Sequence, residues 1–545
     1  MADWPTRLTP LDRFLGRFTR MRPGEGRSVA LFFGYALLMM FSYYILKTIR
    51  EPLLLTGSSA AMKSYATAAT AVLLLFVVPL YGLAFRHTAK LQLTRYLTLF
   101  FVVNLLLFFL AGRAGLDIGF AYFVWVGIFN LMITAQFWAF AANSYNVKSG
   151  QRLFPLIMVG ATLGGLLAPV LAGTWYPTLG PWALMLIAAG LLAMTVPFVG
   201  WSRQTVPPGS RSLPGQPGER AHGGALGGFS LVLTDRYLFL LALMILLLNW
   251  VNTTGEYILA EGVVRQAEAQ AALLAGAAAE ASRADFIAAF YGRFFFTVNL
   301  LTLLVQLFLV ARVIHRIGVG GALLVLPLVS LAGYGLIAFL PVFSLIRVVK
   351  FLENSTNYSL MNTARHALFL PLTRAEKYEG KTAIETFFWR FGDLLQAGAI
   401  YVGLHWLQFD IHHFALLNAA LSLAWLIVAW RLSALFRQKE EAIGANHPPQ
   451  IFKEPEPRYL APGSWFDLEL SADTFLDADP GDVVRYTAHV EGADVLPGWL
   501  HFDAESITLH GKVPVGIGRE TVVRVRATDF DGAWAEVRLV LQHRR

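Results

Sequence analysis

The sequence predicts an all-α polytopic membrane protein of twelve transmembrane helices in two sets of six, plus a small C-terminal β-sandwich. Three observations carry this. Of 545 residues, 56% are hydrophobic and 15% charged, against about 25% charged in soluble domains. Twelve apolar segments fill the chain from about Ser28 to about Arg437, each near the roughly 20 residues that cross a bilayer as a helix. Beyond them the chain turns to charged residues, prolines and glycines with period-two alternation.

Residues 1–27 form a basic N-terminus with Arg7, Arg13, Arg17, Arg20, Arg22 and Arg27. They lack the apolar core and cleavage site of a signal peptide, so they are expected to be retained. The first set of spans is expected at 28–48, 64–85, 95–112, 119–142, 153–174 and 181–201, giving an N-terminal half over 28–201. A linker over 202–235 follows, opening with a stretch rich in Pro, Gly, Ser and Arg such as Pro207-Pro208-Gly209-Ser210. The second set is expected at 236–258, 286–313, 318–340, 342–364, 382–404 and 412–436, giving a C-terminal half over 236–437. Between its first two spans, the Ala-rich stretch 259–284 with Glu261, Arg265, Glu268, Glu280 and Arg283 reads as an extended or extra amphipathic helix outside the membrane. Six spans, a polar linker and six more match the major-facilitator arrangement.

Loop cations alternate as the positive-inside rule demands. Arg86, Lys90 and Arg95, Lys148 and Arg152, Arg312 and Arg316, and Arg374, Lys377 and Lys381 fall in every second loop. This places the N-terminus, the linker and the C-terminal domain in the cytoplasm of a bacterium, with the spans in its inner membrane. The formal net charge of +8 follows from the same bias. A nucleic-acid partner is not expected, because the basic residues are scattered over short loops.

The tail, 448–545, carries alternating runs such as Val483-Val484-Arg485-Tyr486-Thr487 and Thr521-Val522-Val523-Arg524-Val525-Arg526. Bounded by turn residues, these read as strands, in a length that suffices for a β-sandwich. Asp529 and Asp531 read as turn residues.

The membrane part carries ionisable groups near mid-depth, where burial is costly and function is the default reading. In span 1, Lys47, Arg50 and Glu51 share a helix face, with Tyr43 and Tyr44 one turn earlier. They form either a cationic cavity wall or an interfacial cluster with Lys47 reaching the headgroups. Span 10 is the least lipid-like, with Arg347, Lys350, Asn354 and Tyr358 at helical spacing and Glu353 beside them. Span 11 carries Glu385, Arg390 and Asp393. Span 8 has Arg293, span 7 Glu256, and span 4 Trp138 and Asn143. Near balance of five cations (Lys47, Arg293, Arg347, Lys350, Arg390) and four acids (Glu256, Glu353, Glu385, Asp393) implies mutual pairing. Spare positive charge at Lys47 or Lys350 would suit phosphate or carboxylate.

There is no cysteine, Walker loop, metal-binding His motif or nucleophile elbow. Hence no enzyme, cofactor or metal site is expected, and transport would be secondary.

Several stretches resemble the ATP/ADP translocases of plastids and intracellular bacteria, a nucleotide-exchanging branch of the major facilitators. They are Phe41 to Pro52, Phe137 to Asn143, Arg152 to Leu156, Asn354 to Leu360, Leu368 to Leu372 and Lys377 to Glu385. The resemblance covers about 28–437, and Lys47 matches the family's functional lysine in its first helix. The family's functional glutamate near the end of span 4 has no acidic counterpart, since Asn143 and Ser144 stand there. In the tail, Leu496 to Asp503, Gly511 to Pro514 and Ala527 to Gly532 resemble dystroglycan-type cadherin-like and Ig-like modules.

The expectation is a secondary transporter of an anionic solute, most simply a nucleotide or related phosphorylated compound. Lys47, Arg50, Arg293, Arg347, Lys350 and Arg390 would attract the anion. Tyr43, Trp138, Asn143, Asn354 and Tyr358 would complete the substrate site, and Glu256, Glu385 and Asp393 would exchange partners during gating. Two alternatives stand beside it. One is a proton-coupled transporter of another solute with Glu385 as proton carrier. The other is a non-transporting receptor or scaffold whose β-domain binds a protein partner.

Overall fold

The computed structural model describes residues 8–87, 90–145, 147–207, 225–372, 376, 380–444, 449–476, 484–493, 495–504, 506–529 and 532–543. They fall into two compact units, Met1–Phe436 and Arg437–Arg545.

The first unit is helical. After a short α1 (Pro10–Leu15) come α2 (Glu25–Leu55), α3 (Ala61–His87), α4 (Lys90–Arg113), α5 (Gly119–Ser144) and α6 (Val147–Gln204). Non-helical backbone at Gly180 bends α6 into two spans. Then follow α7 (Ala225–Thr234), α8 (Arg236–Ala271), α9 (Gly276–Phe308) and α10 (Val310–Phe339), the last broken at Gly318. Next come α11 (Phe343–Thr356), α12 (Asn362–Ala367), α13 (Lys381–Ala383), α14 (Trp389–His405) and α15 (Ile411–Gly444).

Nine of the described helices are long and apolar enough to span a membrane, and bent α6 supplies two crossings. The segments expected as spans 10 and 11 fall outside that set, because their regular helices α11 and α14 are only 14 and 17 residues long. Each is interrupted by a π-helical turn, Asn357–Met361 between α11 and α12 and Ile384–Phe388 before α14. Such turns concentrate at functional sites. The chain is thus an integral membrane protein. The stretch 259–284 takes the extended form expected of it and is not an extra helix: α8 and α9 run on through it and meet in a short turn.

Two apolar cores form. One gathers α2 to α6 around residues such as Phe32, Tyr35, Phe129 and Leu192. The other gathers α8 to α15 around Leu241, Tyr291, Tyr334 and Trp425. The cores are not strictly divided, since Leu55, Ala60 and Ala61 join the second and Ala288 the first, and a polar cluster lies between the halves.

The second unit is a β-sandwich. One sheet has the order β2-β9-β8-β5 (Arg458–Leu460, Trp534–His543, Glu520–Thr528, Arg485–Val490), with β2 parallel to β9. The other has β3-β7-β6 (Trp465–Glu469, Thr508–Lys512, Leu500–Asp503), and β1 (Gln450–Ile451) pairs with β4 (Phe475–Leu476). Alternation decides the core: Val523, Val525 and Ala527 of β8 and Val537, Leu539 and Leu541 of β9 are buried. Asp529 closes the β8–β9 turn, its carboxylate accepting the Ala533 N–H at 2.8 Å. Asp531 lies outside the described residues.

Candidate functional site

The last two turns of α2 put Lys47, Arg50 and Glu51 on one face, and the turn to α3 brings Lys63 opposite them. Buried Lys63 forms ion pairs with Glu51 at 3.1 Å and with Glu256 of α8 at 3.3 Å. Its ammonium also donates to the Tyr291 hydroxyl of α9 at 3.3 Å. Glu256 accepts the Asn354 amide N–H of α11 at 3.0 Å and lies 3.5 Å from the Lys350 ammonium. Lys350 is fully buried and pairs with Glu353 at 2.9 Å. The Tyr334 hydroxyl donates to the same Glu353 oxygen. Gly255 makes this possible: a Cβ there would meet the Tyr334 hydroxyl at 1.8 Å and the Lys350 ammonium at 3.0 Å.

These groups surround a cavity of about 170 Å³ between the halves, lined among others by Lys47, Arg50, Asn252, Asn299, Tyr358 and Gln396. Its charges do not cancel. Lys47, Arg50, Lys63 and Lys350 are four cations, and Glu51, Glu256 and Glu353 are three acids. Arg50 pairs with Glu51 at 3.1 Å and lies 4.2 Å from the Phe123 ring centroid. Lys47 is the odd one out. Among the described residues no carboxylate lies within ion-pair distance of it, and its ammonium rests over the Phe295 ring at 4.3 Å and the Tyr44 ring at 5.3 Å. A lone ammonium over aromatic faces keeps part of its stabilisation and leaves a directed positive charge facing the cavity.

Of the residues expected to form a substrate site, Lys47, Arg50, Asn354 and Tyr358 line this cavity together with Glu256, and Lys350 stands in its wall. Others are placed elsewhere. Tyr43 is buried in the N-terminal half against Tyr44 and Phe129. Trp138 packs between Phe137 and Phe154. The Asn143 side chain lies outside the described residues. Arg293 is exposed, its Nε bonded to Ala289 O of its own helix, because neighbouring Gly292 takes the face of α9 that packs on α6. Arg347 is exposed as well, since Ile346, Val349, Lys350 and Glu353 take the buried side of α11. Glu385 and Arg390 line a second crevice of about 420 Å³, opposite Leu75 of α3 and Leu131 of α5. Asp393, 3.5 Å from Arg390, accepts the Asn249 amide N–H at 2.7 Å.

Sequence reasoning missed Lys63, which sits one residue before the expected start of span 2. The signal was present as Lys63, Thr67 and Thr70 at helical spacing.

The cross-half bonds run from the α2–α3 turn, at Lys63 and Ser64, to mid-depth at Asn299. Among the described residues they are Lys63 to Glu256 and Tyr291, Ser64 to Gln396, and Tyr44 and Gly165 to Asn299. The crevice at Leu75 and Arg390 lies towards the other end, along the same α3 and α14. Among the described residues no hydrogen bond joins the halves across that crevice.

Comparison with known proteins agrees with this architecture. Residues 448–542 match the family described as "Putative Ig domain". The chain is 23% identical over 356 residues to ADP,ATP carrier protein 1 of Chlamydia pneumoniae, covering 56% of this chain and 65% of that protein. It is 25% identical over 354 residues to ADP,ATP carrier protein 1 of Chlamydia muridarum (strain MoPn / Nigg), covering 56% and 63%. It thus spans less than two thirds of these relatives. Among solved structures, the nucleoside transporter NupG aligns with a TM-score of 0.52 at 14% identity, covering 75% of this chain and 99% of that one. A bacterial homologue of the iron transporter ferroportin, inward-facing, aligns at 0.54 and 14% over 75% and 99%. A POT family transporter in complex with a thioalcohol conjugated peptide aligns at 0.56 and 11% over 78% and 98%. The membrane unit has the fold of the major-facilitator transporters, and a small Ig-like domain follows it.

Proposed function

We propose that this chain is a secondary transporter that exchanges an anionic solute, a nucleotide or related phosphorylated compound, by alternating access. The observation that carries the proposal is Lys47, an ammonium without a carboxylate partner among the described residues, facing a polar cavity between the two halves. Lys47 and Arg50 hold the anion, and Asn354 and Tyr358 flank it. The cavity of about 170 Å³ is smaller than the roughly 300–1,000 Å³ of most small-molecule sites. In this state it suits a phosphate group, with the rest of a nucleotide extending towards the crevice at Glu385 and Arg390. The similarity to proteins named ADP,ATP carriers supports the nucleotide class.

The loop charges put the α2–α3 turn outside the cell. On this reading the bonded end at that turn is closed and external and the crevice end open and cytoplasmic, in a bacterial inner membrane with the β-domain inside, where it is free to bind a protein partner.

The test is counterflow in liposomes. Vesicles loaded with ADP should accumulate labelled ATP transiently above its equilibrium level, and unloaded vesicles should fill only towards equilibrium, without overshoot. Absence of counterflow with ATP, ADP and inorganic phosphate alike would sink the nucleotide reading. Uptake driven by a pH gradient alone would transfer the coupling to protons.

A further inference from the structure

The Lys63–Glu256 pair joins the two halves: Lys63 belongs to α3, Glu256 to α8, and their closest oxygen and nitrogen lie 3.3 Å apart. Each group keeps another partner within its own half. Lys63 holds Glu51 at 3.1 Å. Glu256 holds Asn354 at 3.0 Å and lies 3.5 Å from Lys350. Parting the halves at this end breaks one ion pair and strands neither group alone. The charges then divide unevenly. The N-terminal wall carries Lys47, Arg50 and Lys63 against Glu51, a net of two positive charges. The C-terminal wall carries Lys350 against Glu256 and Glu353, a net of one negative charge. The opened N-terminal wall therefore demands a counter-anion that the closed, empty bundle obtains from Glu256.

We infer that Lys63 is a solute-contacting residue and that Glu256 is the internal stand-in for the solute's negative charge. This rests on the anion-transporter reading given above. When the closed end opens, the solute's anion takes the place of Glu256 on Lys63, beside Lys47 and Arg50. When the solute leaves, Glu256 returns and lets the empty carrier close. An anion with two or more negative charges matches the opened wall, so a phosphate ester is preferred over a monocarboxylate. The stand-in also sets the mode of transport, because an empty carrier that can close supports net flux as well as exchange.

The test uses the full chain in liposomes, with labelled ATP as probe. Glu256→Gln removes the stand-in and should raise the ratio of counterflow to net flux at least tenfold. Lys63→Gln should raise the KM for counterflow at least tenfold, and Lys63→Arg should recover most of it. An unchanged flux ratio in Glu256→Gln, or a parental KM in Lys63→Gln, overturns the inference. A second readout needs no transported solute. The chain has no native cysteine, so Thr67→Cys in the cavity wall can be labelled from outside with a membrane-impermeant maleimide. Labelling should rise about fivefold when Glu256→Gln is added, and equal labelling would overturn the tie between the halves. If the parent protein moves no anion while labelling still rises, the transporter reading fails and the gate stands.

Discussion

Lys47 and Lys63 lie on neighbouring helices, yet their surroundings assign them opposite energetic roles. Lys63 pairs with two carboxylates, so Lys63→Ala leaves Glu51 with Arg50 alone and Glu256 with Lys350 alone at a buried site. Each keeps one cation, so the cost should fall below the about 3–5 kcal/mol of a buried charge left with no partner, and a measurable fall in thermal stability in detergent is expected. Lys47 has no carboxylate to strand. Lys47→Ala should leave the melting temperature within a few degrees of the parent while counterflow falls at least tenfold. Equal melting for both variants would contradict the pairing described here. In the β-domain, His543 is buried, with Nε2 3.0 Å from the Thr521 hydroxyl oxygen. Burial lowers its pKa from the ordinary value of 6.5. The folded domain then binds this proton less readily than the unfolded chain. Stability from the neutral ring is fully present above the ordinary histidine value and declines as pH falls below it. Protection factors of β8 and β9, exchange rates normalised for the intrinsic pH dependence of amide exchange, should fall between pH 7.5 and 5.5, and His543→Gln should flatten that dependence.

Among the helices, α6 and α9 make the tightest seam between the halves. A Cβ on Gly292 would lie 2.6 Å from Pro169 O and 2.9 Å from the Gly173 Cα, so the backbones meet with no room for a side chain. Small residues permit such approach in membrane bundles. Gly292→Val should wedge this seam, abolish counterflow and increase external labelling of a Thr67→Cys reporter, with insertion unchanged. Labelling at the parental level would count against the seam as part of the closed end. The π-helical turns at Asn357–Met361 and Ile384–Phe388 place Tyr358 on the cavity and Glu385 on the crevice. Each lies in a polar, gate-side helix, where a shift of the hydrogen-bond register re-aims side chains without breaking the span.

Two cores that share only a few apolar residues across the halves leave a seam of the kind that the proposed alternating access requires. Bonds run between the halves from the α2–α3 turn to Asn299, and the crevice carries an apolar wall facing a charged one. Under the proposed function, that asymmetry marks one state of a cycle. Its orientation rests on the loop charges, and a tag after Arg545 tests them: it should resist external protease in intact cells. Cleavage there would reverse the sidedness of the closed end.

Span lengths, the two-half division and the strand alternation of the tail were legible in the sequence, because each follows from a period or a run length that burial imposes locally. Lys47, Arg50 and Glu51 were legible as one helix face for the same reason. Partners were not. Lys350 was as good a candidate as Lys47 for the spare charge until Glu256, about a hundred positions away, was placed beside it. Arg347 and Arg293 looked equal to the cavity cations, yet a rotation of less than one turn sets them outside. Lys63 was hidden by its position at the edge of a span. Helical spacing fixes which side chains share a face, whereas the packing of one helix against another decides what that face meets. The sign and location of the uncompensated charge are properties of that packing.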